Sequence, residues 1–140
     1  MKQLLFRIWQ WTWGFPQTLI GFIIYCIHRK NPHRVYHGCI VTRWGVGASL
    51  GVGMFLFLSE RSYDAPASQV QVHEFGHAVQ SAILGPLFLL VMGIPSFLWC
   101  NLPACRKLRK EKGVSYYRFY PESNANRLGS LVAKEPCNLK

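Results

Sequence analysis

Acidic residues are scarce in this 140-residue chain, which has 6 Asp and Glu against 16 Lys and Arg and a formal net charge of +10 at pH 7. It has no internal repeat, no low-complexity segment and no G-X-Y or heptad period, which excludes collagen-like and coiled-coil proteins. Disorder is excluded as well, because 50% of the residues are hydrophobic. What remains is one domain with its own core, and the basic charge favours nucleic acid or an anionic membrane surface as a partner.

The cysteines lack the C-x-x-C spacing of zinc-binding and redox motifs. There are five of them, an odd number, scattered among apolar blocks and loops. This pattern indicates reduced thiols in a protein that faces the cytosol and gives no support to a disulfide framework.

The hydrophobic residues are concentrated in two blocks, of which the first covers residues 8–27 and contains no charge. A helix of about 20 residues crosses a bilayer core. Three tryptophans lie near the start of this block, and a basic triplet follows its end, as is typical of membrane–water interfaces. We therefore predict an N-terminal transmembrane anchor over residues 1–30. A buried or interfacial helix and a cleaved signal peptide are the alternatives.

The second block, residues 86–100, is short for a membrane span and is interrupted by Gly93 and Pro95. These features predict a re-entrant or monotopic membrane segment over residues 86–102, with a full span as the alternative. A dense basic run at 106–112 follows and is explained by anionic headgroups better than by nucleic acid. Lys and Arg are more numerous after the first block than before it. We therefore expect an integral membrane protein whose active site faces the cytoplasm.

Between the two blocks, residues 35–42 and 49–58 are rich in β-branched and aromatic residues, which predicts a β-hairpin. Asp64 is a candidate N-cap for a helix that runs to Leu84, where Gly-Pro ends it. The predicted fold is α+β and membrane-associated. Its order is a transmembrane helix, a hairpin, an active-site helix, the apolar segment and a second metal-ligand helix, with residues 31–140 forming a metallopeptidase-like domain.

The active-site helix is predicted from an H-E-x-x-H motif, which comprises His73, Glu74 and His77. On a helix, positions i and i+4 share one face, so both imidazoles can bind one metal ion while the glutamate reaches a water on it. Zinc suits this task because it is redox-inert and lowers the pKa of bound water to about 7. Glu74 would then act as the general base. The alternative is a helix whose histidines only face solvent or satisfy buried polar groups.

A hydrolytic zinc site needs a third protein ligand and one open position. No histidine follows the motif, so a carboxylate or a cysteine must supply this ligand. Three acids lie downstream, and of these Glu111 sits in the basic run and Glu135 in the tail. Glu122 is favoured, since it lies in the first turn of a predicted helix and shares a face with Asn126. Compensation of the helix dipole is the alternative role for this glutamate.

These residues resemble a known group of enzymes. The motif followed by Glu-Ser-Asn-Ala-Asn at 122–126 is similar to the H-E-x-x-H plus E-x-x-A-D pattern of the gluzincin metallopeptidases, which include the membrane-bound CAAX-prenyl-protease type. The resemblance implies that the two motif histidines and Glu122 bind zinc, and that residues 49–58 pair with an extended substrate. It also implies that Asn126 accepts a hydrogen bond from a ligand histidine, where the family usually has Asp.

Tyrosines just upstream of Glu122 are candidates for stabilising the oxyanion of peptide hydrolysis, and we single out Tyr117 and Tyr120. Aromatic packing is the alternative for each. Together the features predict a membrane-associated zinc metallopeptidase that acts on peptides or membrane proteins, contacts the lipid bilayer and does not bind nucleic acid. A membrane protein with a structural or decayed metal site is the main alternative, and a basic adaptor with an accidental motif is the third.

Overall fold

A computed structural model describes residues 2–61 and 65–140, so the predicted N-cap Asp64 lies outside the described residues. The fold is α+β and contains a small mixed sheet. Its helices and strands, in chain order, are α1 (Lys2–Thr12), α2 (Phe15–Ile27), β1 (His33–Tyr36), β2 (Cys39–Trp44), β3 (Leu50–Val52), β4 (Phe55–Ser59), α3 (Ala67–Leu84), α4 (Ile94–Asn101), α5 (Pro103–Lys112) and α6 (Tyr120–Ala133). A 3-10 turn (Gly85–Leu87) and a π-helical turn (Leu89–Gly93) connect α3 to α4.

The sheet has the strand order β1-β2-β4-β3, with antiparallel outer pairs and a parallel central pair. The prediction of a single hairpin is therefore wrong, because each predicted strand is itself a hairpin. His37 and Gly38 both have positive φ and form the first turn between β1 and β2. Gly53 also has positive φ and turns β3 into β4. The two hairpins are then joined through β2 and β4.

The sheet lies between two helical layers. Leu56 and Leu58 of β4 pack with Phe75 of α3 in one hydrophobic cluster. Phe55 and Phe57 belong to a second cluster that includes residues of α1 and α2. This alternation is the period-2 pattern of a strand buried on both faces.

The predicted transmembrane helix over residues 8–27 is wrong. The segment is broken between α1 and α2, and within the described ranges no single helix is long and apolar enough to cross a membrane. Its polar residues explain the difference, because Gln10, Gln17 and Thr18 are fully buried. Gln10 Nε2 donates to the Ala78 carbonyl at 2.8 Å, and Gln17 Nε2 donates to Ser81 Oγ at 2.8 Å. Residues that weakened the hydrophobic pattern thus attach α1 and α2 to α3.

Helix α3, which carries the H-E-x-x-H motif, and helix α6 are in direct backbone contact. A Cβ atom on Gly76 would lie 1.9 Å from the carbonyl oxygen of Ala125, and one on Gly129 would lie 2.1 Å from that of Val72. Only glycine permits such an approach. Because the helices are this close, the side chain of Glu122, in the first turn of α6, can reach the H-E-x-x-H motif on α3.

The second apolar block is helical and reverses the chain after α3. Residues Ala67–Leu87 and Leu89–Asn101 form a helix pair bent by 120°, and together they are long and apolar enough for a broken span or a re-entrant loop. The assignment of residues 86–102 to a membrane stays a prediction. One side of α4 faces α6, since the Ser96 hydroxyl donates to the carboxylate of Glu122.

Candidate metal centre

His73, His77 and Glu122 form one buried cluster, with a ligand atom of each within 4.8 Å of the others. Glu122 Oε2 lies 3.1 Å from His73 Nε2 and 3.5 Å from His77 Nε2. Ligands that surround a zinc ion tetrahedrally at about 2.0–2.1 Å are separated by about 3.3 Å. The predicted ligand set is therefore brought together at the spacing of a metal site.

The tautomer of His77 follows from its neighbour Gln80. The Gln80 amide nitrogen donates to the Pro121 carbonyl at 2.8 Å and to Asn124 Oδ1 at 2.9 Å. Its oxygen therefore points the other way and lies 2.8 Å from His77 Nδ1. An amide oxygen can only accept, so Nδ1 carries the proton and Nε2 faces the cluster.

Asn126 orients the His73 ring through a similar pair of hydrogen bonds. Asn126 Nδ2 donates to the Leu139 carbonyl at 3.1 Å, so Oδ1 accepts from His73 Nδ1, 2.6 Å away. The predicted contact between Asn126 and a ligand histidine is thus present. His73 Nε2, like that of His77, is left facing the cluster.

Glu122 completes the set with a single oxygen. Its Oε1 accepts a hydrogen bond from Ser96, whereas among the described residues its buried Oε2 is hydrogen-bonded only when a histidine Nε2 carries a proton. In the neutral histidine tautomers, two nitrogen lone pairs and this oxygen converge without a proton between them. Three acceptors in a buried space need a cation, and the donor set of two imidazoles and one carboxylate is compatible with a metal ion.

The electrostatics of the cluster favour a positive charge at the same point. Burial would raise the pKa of Glu122, but the hydrogen bonds and charges of His73 and His77 hold this pKa well below its ordinary value. Burial would lower the pKa of His77, yet Glu122 outweighs it and raises the pKa to about 9. In the metal-free protein a proton on His77 therefore compensates the carboxylate that a metal would otherwise neutralise.

Glu74, the predicted base, is also buried and lies beside the cluster. Burial raises its pKa above the usual value, and the charge of Glu122 acts in the same direction against the charges of the two histidines. Gly51 in β3 lies beside this side chain, since a Cβ atom there would be 3.1 Å from Glu74 Oε2, and its backbone amide acts to lower this pKa. A carboxylate with a raised pKa holds an acquired proton more readily than an ordinary glutamate does.

The two predicted tyrosines have different positions. The ring of Tyr117 lies edge-on to that of His73, with centroids 5.1 Å apart, and burial with two nearby carboxylates raises its pKa to about 12. Tyr120 is exposed, and its hydroxyl donates to the Val91 carbonyl at 2.5 Å. Of the two predicted tyrosines, only Tyr117 therefore contacts a candidate metal ligand, His73.

The other two downstream acids lie outside the cluster. Glu111 is exposed and pairs with Lys107 at 3.7 Å on α5. Glu135 accepts a hydrogen bond from the Tyr36 hydroxyl at 2.9 Å. The choice of Glu122 among the three acids therefore agrees with the geometry.

Two contributors were not foreseen, Gln80 and Ser96. Gln80 lies three residues after His77, so the i, i+3 spacing was a usable signal for a contact. Ser96 is the lone hydroxyl in an apolar block, and such an isolated polar residue commonly marks a buried contact.

Comparison of the chain with protein families, curated proteins and solved structures gives no match. The centre is therefore characterised by its own geometry. That geometry is compatible with a metal ion held by two histidines and one glutamate, and it does not distinguish among metals.

Proposed function

We propose that the chain is a zinc-dependent peptidase, consistent with its resemblance to the gluzincins. The observation that carries the proposal is the convergence of three candidate ligand atoms, from His73, His77 and Glu122, beside a buried fourth residue, Glu74. A purely structural zinc site takes four protein ligands, whereas a catalytic site takes three and keeps one position open. Neutral imidazoles with one carboxylate suit zinc better than magnesium or calcium, which prefer oxygen ligands.

A bound zinc ion would supply Lewis-acid activation of the scissile carbonyl and of the attacking water. Glu74 takes a proton from this water and delivers it to the nitrogen of the departing amine. Its raised pKa supports both steps, since the proton must stay on the carboxylate between them. Tyr117, packed against His73, is the group we assign to donating a hydrogen bond to the developing oxyanion.

The proposed substrate is an extended peptide that lies along β3. This strand forms one edge of the sheet and packs against α3, and its Gly51 lies beside Glu74. An extended chain can add to such an edge by backbone hydrogen bonds. A substrate bound there would present a carbonyl beside the base.

The burial of His73, Glu74, His77 and Glu122 supports a second candidate, a metal site that only stabilises the fold. Replacing Glu74 by Gln separates the two candidates. The peptidase proposal expects E74Q to bind one zinc per chain and to lose at least a hundredfold in peptide cleavage. Unchanged cleavage by E74Q, or no cleavage by the zinc-loaded wild type, would contradict the peptidase proposal and support the structural role.

Metal analysis tests the ligand assignment itself. Purified wild-type protein should carry zinc, and H77A and E122A should lose it. E111A is the matched control, since Glu111 is an exposed acid on another helix. Loss of zinc from E111A with retention by E122A would contradict the assignment.

A further inference from the structure

Large apolar side chains are exposed at the point where the chain reverses after α3. Ile83, Leu87 and Leu90 are 60%, 57% and 65% exposed. They lie on either side of the 120° bend between the two apolar helical segments, so they share the tip of a helical hairpin. Exposed apolar side chains that are grouped at one bend indicate a binding surface, whereas singly scattered ones do not.

Two tryptophans from the N-terminal helices lie beside this tip. Trp9 Nε1 donates to the Ala82 carbonyl at 2.7 Å, and the ring of Trp13 lies where a side chain on Gly85 would be. Both indoles remain about half exposed. Indoles at the border of an apolar surface are typical of the headgroup region of a bilayer.

A basic helix follows the same apolar segment. Phe97 of α4 is exposed, and α5 begins two residues after α4 ends. The exposed charges of α5 are mainly positive, and its one acid, Glu111, pairs within the helix with Lys107. Its remaining exposed basic residues are Arg106, Lys110 and Lys112. An apolar tip and a cationic helix on one segment of the chain complement an anionic lipid surface and not a second copy of this basic chain.

We propose that this surface, the lipid-binding surface, inserts shallowly into an anionic bilayer. It comprises the tip residues Ile83, Leu87 and Leu90, the indoles of Trp9 and Trp13, and the basic helix α5. The protein would lie on the membrane and would not cross it. This attachment uses residues separate from those of the metal centre.

The position of the surface also narrows the substrate class, a step that rests on the proposed peptidase function. His77 lies seven residues before Leu84 on α3, which corresponds to about 10 Å along the helix. The metal centre would thus lie close above the headgroups. Peptide segments that emerge from the membrane, or tails anchored to it, would reach the centre more readily than soluble peptides.

Flotation with vesicles tests the surface. Wild-type protein should float with vesicles of phosphatidylcholine and phosphatidylglycerol at 3:1, and much less with pure phosphatidylcholine. The double variant L87D/L90D should reduce flotation at least tenfold. L131D is the matched control, because Leu131 is 68% exposed on α6 and lies outside the surface, and it should bind as wild type does. Circular dichroism and zinc content should be unchanged in both variants.

Equal flotation of L87D/L90D and wild type, or no flotation of the wild type, would overturn the proposal. So would a wild-type dimer in light scattering that L87D/L90D converts to a monomer without any lipid binding. E74Q should float as wild type does, while L87D/L90D should cleave a soluble peptide at the wild-type rate. Failure of the membrane proposal and failure of the peptidase proposal therefore give different results.

Discussion

Replacement of Gln80 by Leu should weaken zinc binding by about 10- to 100-fold, which equals about 1.4–2.7 kcal/mol. The Gln80 oxygen is the acceptor that fixes the His77 tautomer, at 2.8 Å from Nδ1. Without it, the ring can carry its proton on Nε2, where that proton blocks the metal. The zinc affinity of the variant should therefore fall by more than its loss of folding stability alone would cause.

Gln17 supplies a matched control for this experiment. It is a fully buried glutamine that donates two hydrogen bonds to α3 and the following turn, at 2.8 and 2.9 Å, as Gln80 donates two to α6. The difference is the side-chain oxygen, which has no hydrogen-bond partner among the described residues in Gln17 and binds His77 in Gln80. Both Q17L and Q80L should lower the free energy of unfolding of metal-free protein, by about 1–3 kcal/mol.

The assay is competition for zinc with a chromophoric chelator, combined with urea unfolding in the presence of excess chelator. The visible spectrum of cobalt-substituted protein provides a second measurement, since a reoriented His77 changes the ligand field. Equal zinc affinity of Q80L and wild type, or an equal loss in Q17L, would refute the role assigned to Gln80.

Three further predictions follow from the same geometry. Metal-free protein should lose stability as pH rises from 6.5 through about 9, because the raised pKa of His77 stabilises the folded state only while the ring is protonated. At 1.36 kcal/mol per pH unit the loss is at most about 3–4 kcal/mol, and zinc-loaded protein should not show it in urea titrations. S96A should lower zinc affinity several-fold without abolishing it, because Glu122 keeps its ligand oxygen but loses the bond that orients it, as chelator competition would show. G76A should unfold the chain or destabilise it by more than about 3 kcal/mol in thermal melts, whereas A78G at a neighbouring buried position should cost only about 1–2 kcal/mol.

The candidate ligand set could be predicted because the information that selects it is local in the sequence. Residues four apart on a helix share a face, and only three acids follow the motif, so Glu122 could be selected without tertiary contacts. The residues that hydrogen-bond to these ligands are harder to predict from local sequence patterns. The Gln80 bond to Pro121 and the Ser96 bond to Glu122 span 41 and 26 residues, and pattern alone does not pair residues across such separations.

The two errors in the fold have different physical causes. Composition cannot distinguish a helix that faces lipid from a pair that buries its polar side chains against another helix, which is the role of Gln10 and Gln17. In that case tertiary packing overrode the local pattern. The prediction of a single hairpin is wrong because two-residue turns at Gly38 and Gly53 divide runs that are rich in β-branched and aromatic residues.

Asn126 makes two contacts that an aspartate could not make together. Its oxygen accepts from a ligand histidine, while its nitrogen donates to the carbonyl of Leu139. An aspartate at this position would strengthen the first contact and repel the carbonyl in the second. A pattern search that demands an acid four residues after the glutamate would therefore reject chains of this design. Allowing an amide there, together with a glutamine three residues after the second histidine, gives a search pattern based on hydrogen-bond geometry instead of charge.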